Sequence, residues 1–95
     1  MFTGIIEAVG AVKSLSPTGG DLRFVIDSGE LDMSDVQIGD SIAVNGVCLT
    51  VVELDTSSFA ADVSNETIAV TSLQGLKTGS AVNLEKAMLP TTRMG

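Results

Sequence analysis

Ninety-five residues with 44% apolar side chains are enough for one domain with its own core, which buries roughly two thirds of the surface its unfolded chain exposes. Twelve acidic against five basic residues give a net charge of -7, which excludes a nucleic-acid backbone and an anionic membrane surface as partners. One cysteine and no histidine exclude an internal disulfide and an ordinary zinc site; no apolar run approaches the roughly 20 residues of a membrane helix, no signal-peptide pattern opens the chain, and a soluble cytoplasmic protein is expected.

Phe2, Phe24 and Phe59 are the whole aromatic complement, so the interior is expected to rest on Val, Ile, Leu, Ala and Met, a mixture that favours strands. Turn signals at Ser16-Pro17-Thr18-Gly19-Gly20, Ser28-Gly29, Gly39-Asp40, Asn45-Gly46, Asp55 to Ser58 and Gly79-Ser80 divide the chain into short runs. They predict six strands: Ile5 to Ser14, Asp21 to Asp27, Ser41 to Val44, Cys48 to Asp55, Ser58 to Val63 and Ala81 to Lys86. Glu66 to Leu73, behind the capping pair Ser64-Asn65, reads as a short helix, and a further single turn is expected near Leu31 to Val36. The fold class is all-β: a six-stranded antiparallel Greek-key barrel with one or two short helices, closure of which removes exposed edges. Residues 36–42 and 76–82 echo one another, which two strands beginning in similar turns explain without a repeat. Leu89 to Gly95 lose the strand pattern and look like the start of a connection.

Three segments carry chemistry. In Asn45 to Glu53, NGVCLTVVE, the Asn-Gly pair signals a tight hairpin, and Cys48 and Thr50, two apart on the following strand, share one face. Backbone partners would satisfy both equally well. Asp62-Val63-Ser64-Asn65-Glu66-Thr67, at the end of a strand, gathers two carboxylates, two hydroxyls and an amide, a donor and acceptor set suited to a polyol or heterocycle, although helix capping needs one or two of the same groups. In Met1 to Ile6, Gly4 either lets backbone approach a ligand closely or marks a bend.

Together, MFTGII at the start, NGVCLTVV at 45–52 and SNET at 64–67 resemble the amino-terminal barrel of riboflavin synthase, in register over the whole chain and through the closing strand AVNLEKAM. The resemblance implies two similar six-stranded barrels in a complete polypeptide, joined to a carboxy-terminal helix and assembled as a homotrimer, with only the first barrel present here. It also implies a site for 6,7-dimethyl-8-ribityllumazine or riboflavin and no metal or organic cofactor. Two lumazines would meet between barrels of neighbouring subunits and dismutate to riboflavin and a ribitylaminouracil. Carried over by motif, Gly4, Ile5 and Ile6 offer backbone to the ring, and Cys48, Leu49 and Thr50 line the pocket wall. Asp62, Val63, Ser64, Asn65, Glu66 and Thr67 serve the ribityl chain and the polar ring edge, with Ile6, Leu49 and Val63 supplying apolar contact. Phe2, Thr3 and Cys48 are the residues expected nearest the chemistry.

Because the second barrel is missing, the resemblance implies ligand binding with little turnover, since bringing two reactants together is much of such a catalysis. The uncovered apolar face is expected to pair two isolated barrels as a homodimer. Two other readings compete: a non-catalytic barrel of the lumazine-protein type, and an acidic β-barrel that binds another protein.

Overall fold

The computed structural model describes residues 8–87, and strands dominate them. The elements are β1 (Ala8–Thr18), β2 (Asp21–Asp27), β3 (Ser41–Val44), β4 (Val47–Thr50), β5 (Glu53–Leu54), β6 (Ser58–Ser64), α1 (Asn65–Ala69) and β7 (Ala81–Lys86). Every pairing is antiparallel, in the order β4-β3-β7-β1-β2-β6-β5.

Seven strands stand where six were expected because the run from Cys48 to Asp55 bends. Val51 leaves the ladder, its N–H donating to Asp40 O while its carbonyl accepts from Gly39 N, both at 2.9 Å. The two halves of the bent run, β4 and β5, are the opposite edges of the sheet. The sheet therefore rolls up without a closed ring of hydrogen bonds, and the chain at Val51-Val52 joins its edges. Counted as one bent strand, the pair restores the six-strand arrangement.

Two other boundaries differ from expectation. β1 runs through Ser16 to Thr18, leaving only Gly19-Gly20 as the turn; beyond Ala11 its ladder partner is β2 alone, and a proline at position 17 is tolerated there. The portion predicted from Ile5 lies outside the described residues. The helix ends at Ala69 instead of Leu73: β-branched Val70 and Thr71 disfavour extension, and short turns closed from Gln74 N to Thr71 O and from Leu76 N to Leu73 O replace it. The single turn expected near Leu31 to Val36 forms, closed from Val36 N to Met33 O.

Alternation fills the interior with Val12, Phe24, Ile26, Ile42, Val44, Leu49, Val51, Phe59, Ala61, Val63, Val82 and Leu84, while loop residues Leu31, Met33, Val36 and Leu73 pack with them. Phe24 and Phe59 are its largest fully buried side chains, so two of the few aromatics carry more of the core than composition suggested. Lys86 Nζ clips the β2 to β3 connection to the barrel by donating to Asp32 O at 2.8 Å and Asp35 Oδ1 at 2.9 Å. No helix among the described residues is long and apolar enough to cross a membrane.

Candidate functional site

The Asn45-Gly46 turn forms as its sequence demands, with φ of 50° and 84° at its two residues, which matches the right-handed twist of the hairpin strands. The turn is also pinned from outside the hairpin. Asn83 N–H donates to Asn45 Oδ1 at 2.7 Å, Asn45 N–H donates to Asn83 O at 2.9 Å, and Ser72 Oγ donates to Asn45 O at 2.8 Å. The start of β4 is thereby fixed to β7 and to the loop after α1.

On β4 the side chains alternate: Cys48 and Thr50 are exposed and Leu49 is buried. Val63 on β6 is buried in the same core. The Leu49 and Val63 side chains, expected to give a ligand ring apolar contact, face the core. The period of two that turns Cys48 and Thr50 outward turns these two inward, and only their backbone is left to offer.

A bulge ends the β5-β6 ladder where the chain turns into β4. Val52 N–H donates to Ala60 O at 2.8 Å although Glu53 is the ladder partner of Ala60, so Val52 and Glu53 together oppose one residue. Burial divides the two segments alike: Val51, Ala61, Leu49 and Val63 are buried, while Cys48, Thr50 and Ser64 are exposed and Asp62 is half-buried. The ladder ends at the bulge, but β4 continues alongside β6. Two segments separated in sequence thus meet on one outer face.

Asp62 does not stand alone on that face. Arg23, its cross-strand partner on β2, donates through Nε to Oδ1 at 2.7 Å and through Nη2 to Oδ2 at 3.0 Å, and its Nη1 lies 3.4 Å from Glu53 Oε2. The hydrogen bond from Arg23, reinforced by its charge and opposed by partial desolvation, holds the Asp62 carboxyl below the usual carboxylate range. This fork fixes both carboxylate oxygens in direction while leaving lone pairs for another donor. Arg23 carried no signal in the sequence, because 39 positions separate it from Asp62.

Ser64 caps α1: its Oγ accepts from Thr67 N at 3.1 Å and donates to Thr67 Oγ1 at 2.9 Å. The capping account of this motif is therefore realised, and it orients the Thr67 hydroxyl toward the end of β6. Asn65 and Glu66 are exposed, and Asn65 N–H reaches Gly20 O at the β1-β2 turn over 3.4 Å. Phe2, Thr3, Gly4, Ile5 and Ile6 lie outside the described residues.

An open concavity of about 520 Å³ continues the same face, lined by Lys13, Val25, Ile38, Leu54, Asp55 and Ala60 among others, with Glu53 on its wall. Val25 and Ala60 are a ladder pair two residues along from Arg23 and Asp62, so concavity and polar cluster adjoin. Among the described residues none of the expected site residues lines it; Glu53, which bridges to Arg23, does. Among the described residues no group of three His, Cys, Asp or Glu side chains is placed to hold a metal.

The family model for the lumazine binding domain matches residues 3–87. The chain belongs to the lumazine-binding domain family. It is 56% identical over all 95 residues to riboflavin synthase of Photobacterium phosphoreum, of which it covers 44%, and 46% identical over the same length to riboflavin synthase of Bacillus subtilis, again 44% of that protein. The chain spans less than half the length of these curated relatives and corresponds to their amino-terminal half. Among solved structures, LumP complexed with 6,7-dimethyl-8-(1'-D-ribityl) lumazine superimposes with a TM-score of 0.80 at 31% identity, over 92% of this chain and 49% of that one. LumP complexed with flavin mononucleotide gives 0.83 at 24% identity over 90% and 49%, a likeness of fold. The lumazine-binding domain therefore has the partly open barrel as its frame, with the bulge and the I′ turn aligning its polar face.

Proposed function

We propose that the chain is the amino-terminal lumazine-binding barrel of a riboflavin synthase, a single unit spanning residues 1–95. It binds one 6,7-dimethyl-8-ribityllumazine or riboflavin on the face shared by β4 and the end of β6. The observation that carries this reading is the meeting of NGVCLT and DVSNET on one face, in a chain whose full length aligns with riboflavin synthases. A ribityl chain carries hydroxyls that lose water on binding and need partners to offset that cost. Asp62, held by Arg23, is the acceptor for them. Thr50, Ser64, Thr67 and the exposed Asn65 and Glu66 supply further polar contacts, and Leu49 and Val63 present backbone groups.

In this reading Gly4, Ile5 and Ile6 offer backbone to the ring, and Phe2, Thr3 and Cys48 stand nearest the reacting atoms. Cys48 shares its face with Thr50 and is exposed, as a group that touches substrate must be. Dismutation joins two lumazines, one giving a four-carbon unit to the other, and needs a second barrel from a neighbouring subunit of a homotrimer. The chain alone binds but does not turn over at the rate of the whole enzyme, and its uncovered face pairs two copies as a homodimer. No cofactor is required, and the cytoplasm is the compartment. The non-catalytic lumazine-protein reading is second, favoured by the likeness to LumP; the higher identity to the synthases ranks it below.

The test is a fluorescence polarisation titration of riboflavin and of ribityllumazine, free of interference because the protein has no Trp or Tyr. Saturation near one ligand per chain, lost in Thr50→Ala and Thr67→Ala, is expected. An unchanged polarisation at high protein concentration would overturn the reading. Riboflavin formation near the rate of a complete synthase would overturn the need for a second barrel.

A further inference from the structure

The ligand face has an uneven charge. Outward residues of β2 include Asp21 and Arg23, level with Ser64 and Asp62 on β6, and exposed Glu66 opens α1 beside them. Arg23 is the cation within this group, and its three nitrogens already face Asp62 and Glu53. Asp21, Glu53, Asp62 and Glu66 outnumber it, and Lys13 stands among the lining residues of the adjoining concavity.

From this arrangement we infer that the face accepts ribityl ligands ending in a free hydroxyl and rejects their phosphate esters, with the Glu53-Arg23-Asp62 cluster as the specificity determinant. The inference rests on the ligand class proposed above. A hydroxyl donates to a carboxylate and gains from an acidic surround. A phosphate monoester carries about -1.5 to -2 charge at neutral pH and has no proton to spare for a carboxylate beyond a minor fraction. It needs an uncommitted guanidinium or ammonium, and here Arg23 would have to abandon two carboxylates to serve it. The fold itself does not impose this choice, since LumP was solved with both riboflavin and flavin mononucleotide. The discrimination lies in these side chains.

The experiment titrates riboflavin and flavin mononucleotide in parallel, at low and at high salt, into the unaltered chain and into an Asp21→Asn/Glu53→Gln double variant. Flavin mononucleotide should bind at least about tenfold more weakly than riboflavin at low ionic strength. The gap should narrow near 1 M salt, where the screening length falls to about 3 Å. It should narrow also in the double variant, through tighter flavin mononucleotide binding, while riboflavin still saturates the chain. Equal affinities at low salt, or a gap indifferent to both salt and the double variant, would overturn the charge assignment while riboflavin binding kept the proposed ligand class intact. Failure of both ligands to bind would overturn the ligand class and this inference with it.

Discussion

Replacing Leu49, Cys48 and Thr50 one at a time by alanine tests the alternation on which the ligand face depends. Leu49 is 5% exposed and packs in the main core, so truncation removes a buried isopropyl group, a change that costs about 2 to 5 kcal/mol. β4 is four residues long and has a ladder partner on one side only, which lets the surroundings relax and argues for the lower part of that range, about 3 kcal/mol. For a domain of this size the unfolding entropy near the midpoint is about 0.2 kcal/mol/K, so Tm should fall by about 15 °C. Cys48→Ala and Thr50→Ala remove exposed groups and should stay within about 0.5 kcal/mol, or about 2 °C. Far-UV circular dichroism melts read all three, because the protein has no Trp or Tyr to follow by fluorescence. A Cys48→Ala or Thr50→Ala loss as large as that of Leu49→Ala, or a Leu49→Ala melt within about 3 °C of the parent, would refute the facing of β4 and the site built on it.

Three further outcomes are expected. Gly10→Ala should destabilise by about 3 kcal/mol in urea titration, because the new methyl would overlap the Asp27 carbonyl oxygen, which is backbone and cannot swing away, and lie 2.8 Å from Leu84 Cδ1; a shift below about 1 kcal/mol would contradict the packing. Ser64→Ala should cost about 1 kcal/mol by uncapping α1, and Ser64→Asp should restore most of it in the same titration. The Asp62 carboxyl, titrated by carbon NMR, should ionise below the usual carboxylate range and move up toward it in Arg23→Ala, while Asp32, lowered by its Ser34 hydrogen bonds, stays depressed in both. Because folding lowers the Asp62 pKa, the folded state binds its proton less readily than the unfolded state. The stability this pair contributes is therefore present above the ordinary carboxylate range and lost as pH falls through the depressed value, and Arg23→Ala should flatten that acid limb.

Local rules made much of this protein legible in its sequence. Strands β2, β3 and β7 have the predicted limits because short β-rich runs lie between turn residues whose backbone preferences are intrinsic. The Asn45-Gly46 turn, the outward facing of Cys48 and Thr50, and the Ser64 cap follow from positive φ, a period of two and the orphan N–H groups of a helix start. That same period turns the Leu49 and Val63 side chains toward the core. The bend at Val51-Val52 had no glycine or proline to announce it; it arises because Val51 bonds with Gly39 and Asp40 in another loop while Val52 bulges against Ala60. Nor does any local rule relate Arg23 to Asp62, or bring β4 alongside β6, for these depend on strand pairing across the chain. The sequence by itself determined most of the elements, which strand residues share a face, and the polar groups gathered from Asp62 to Thr67. Only the tertiary structure decided which of those residues meet and which cation holds the acid among them, because pairing register is a property of the assembled sheet.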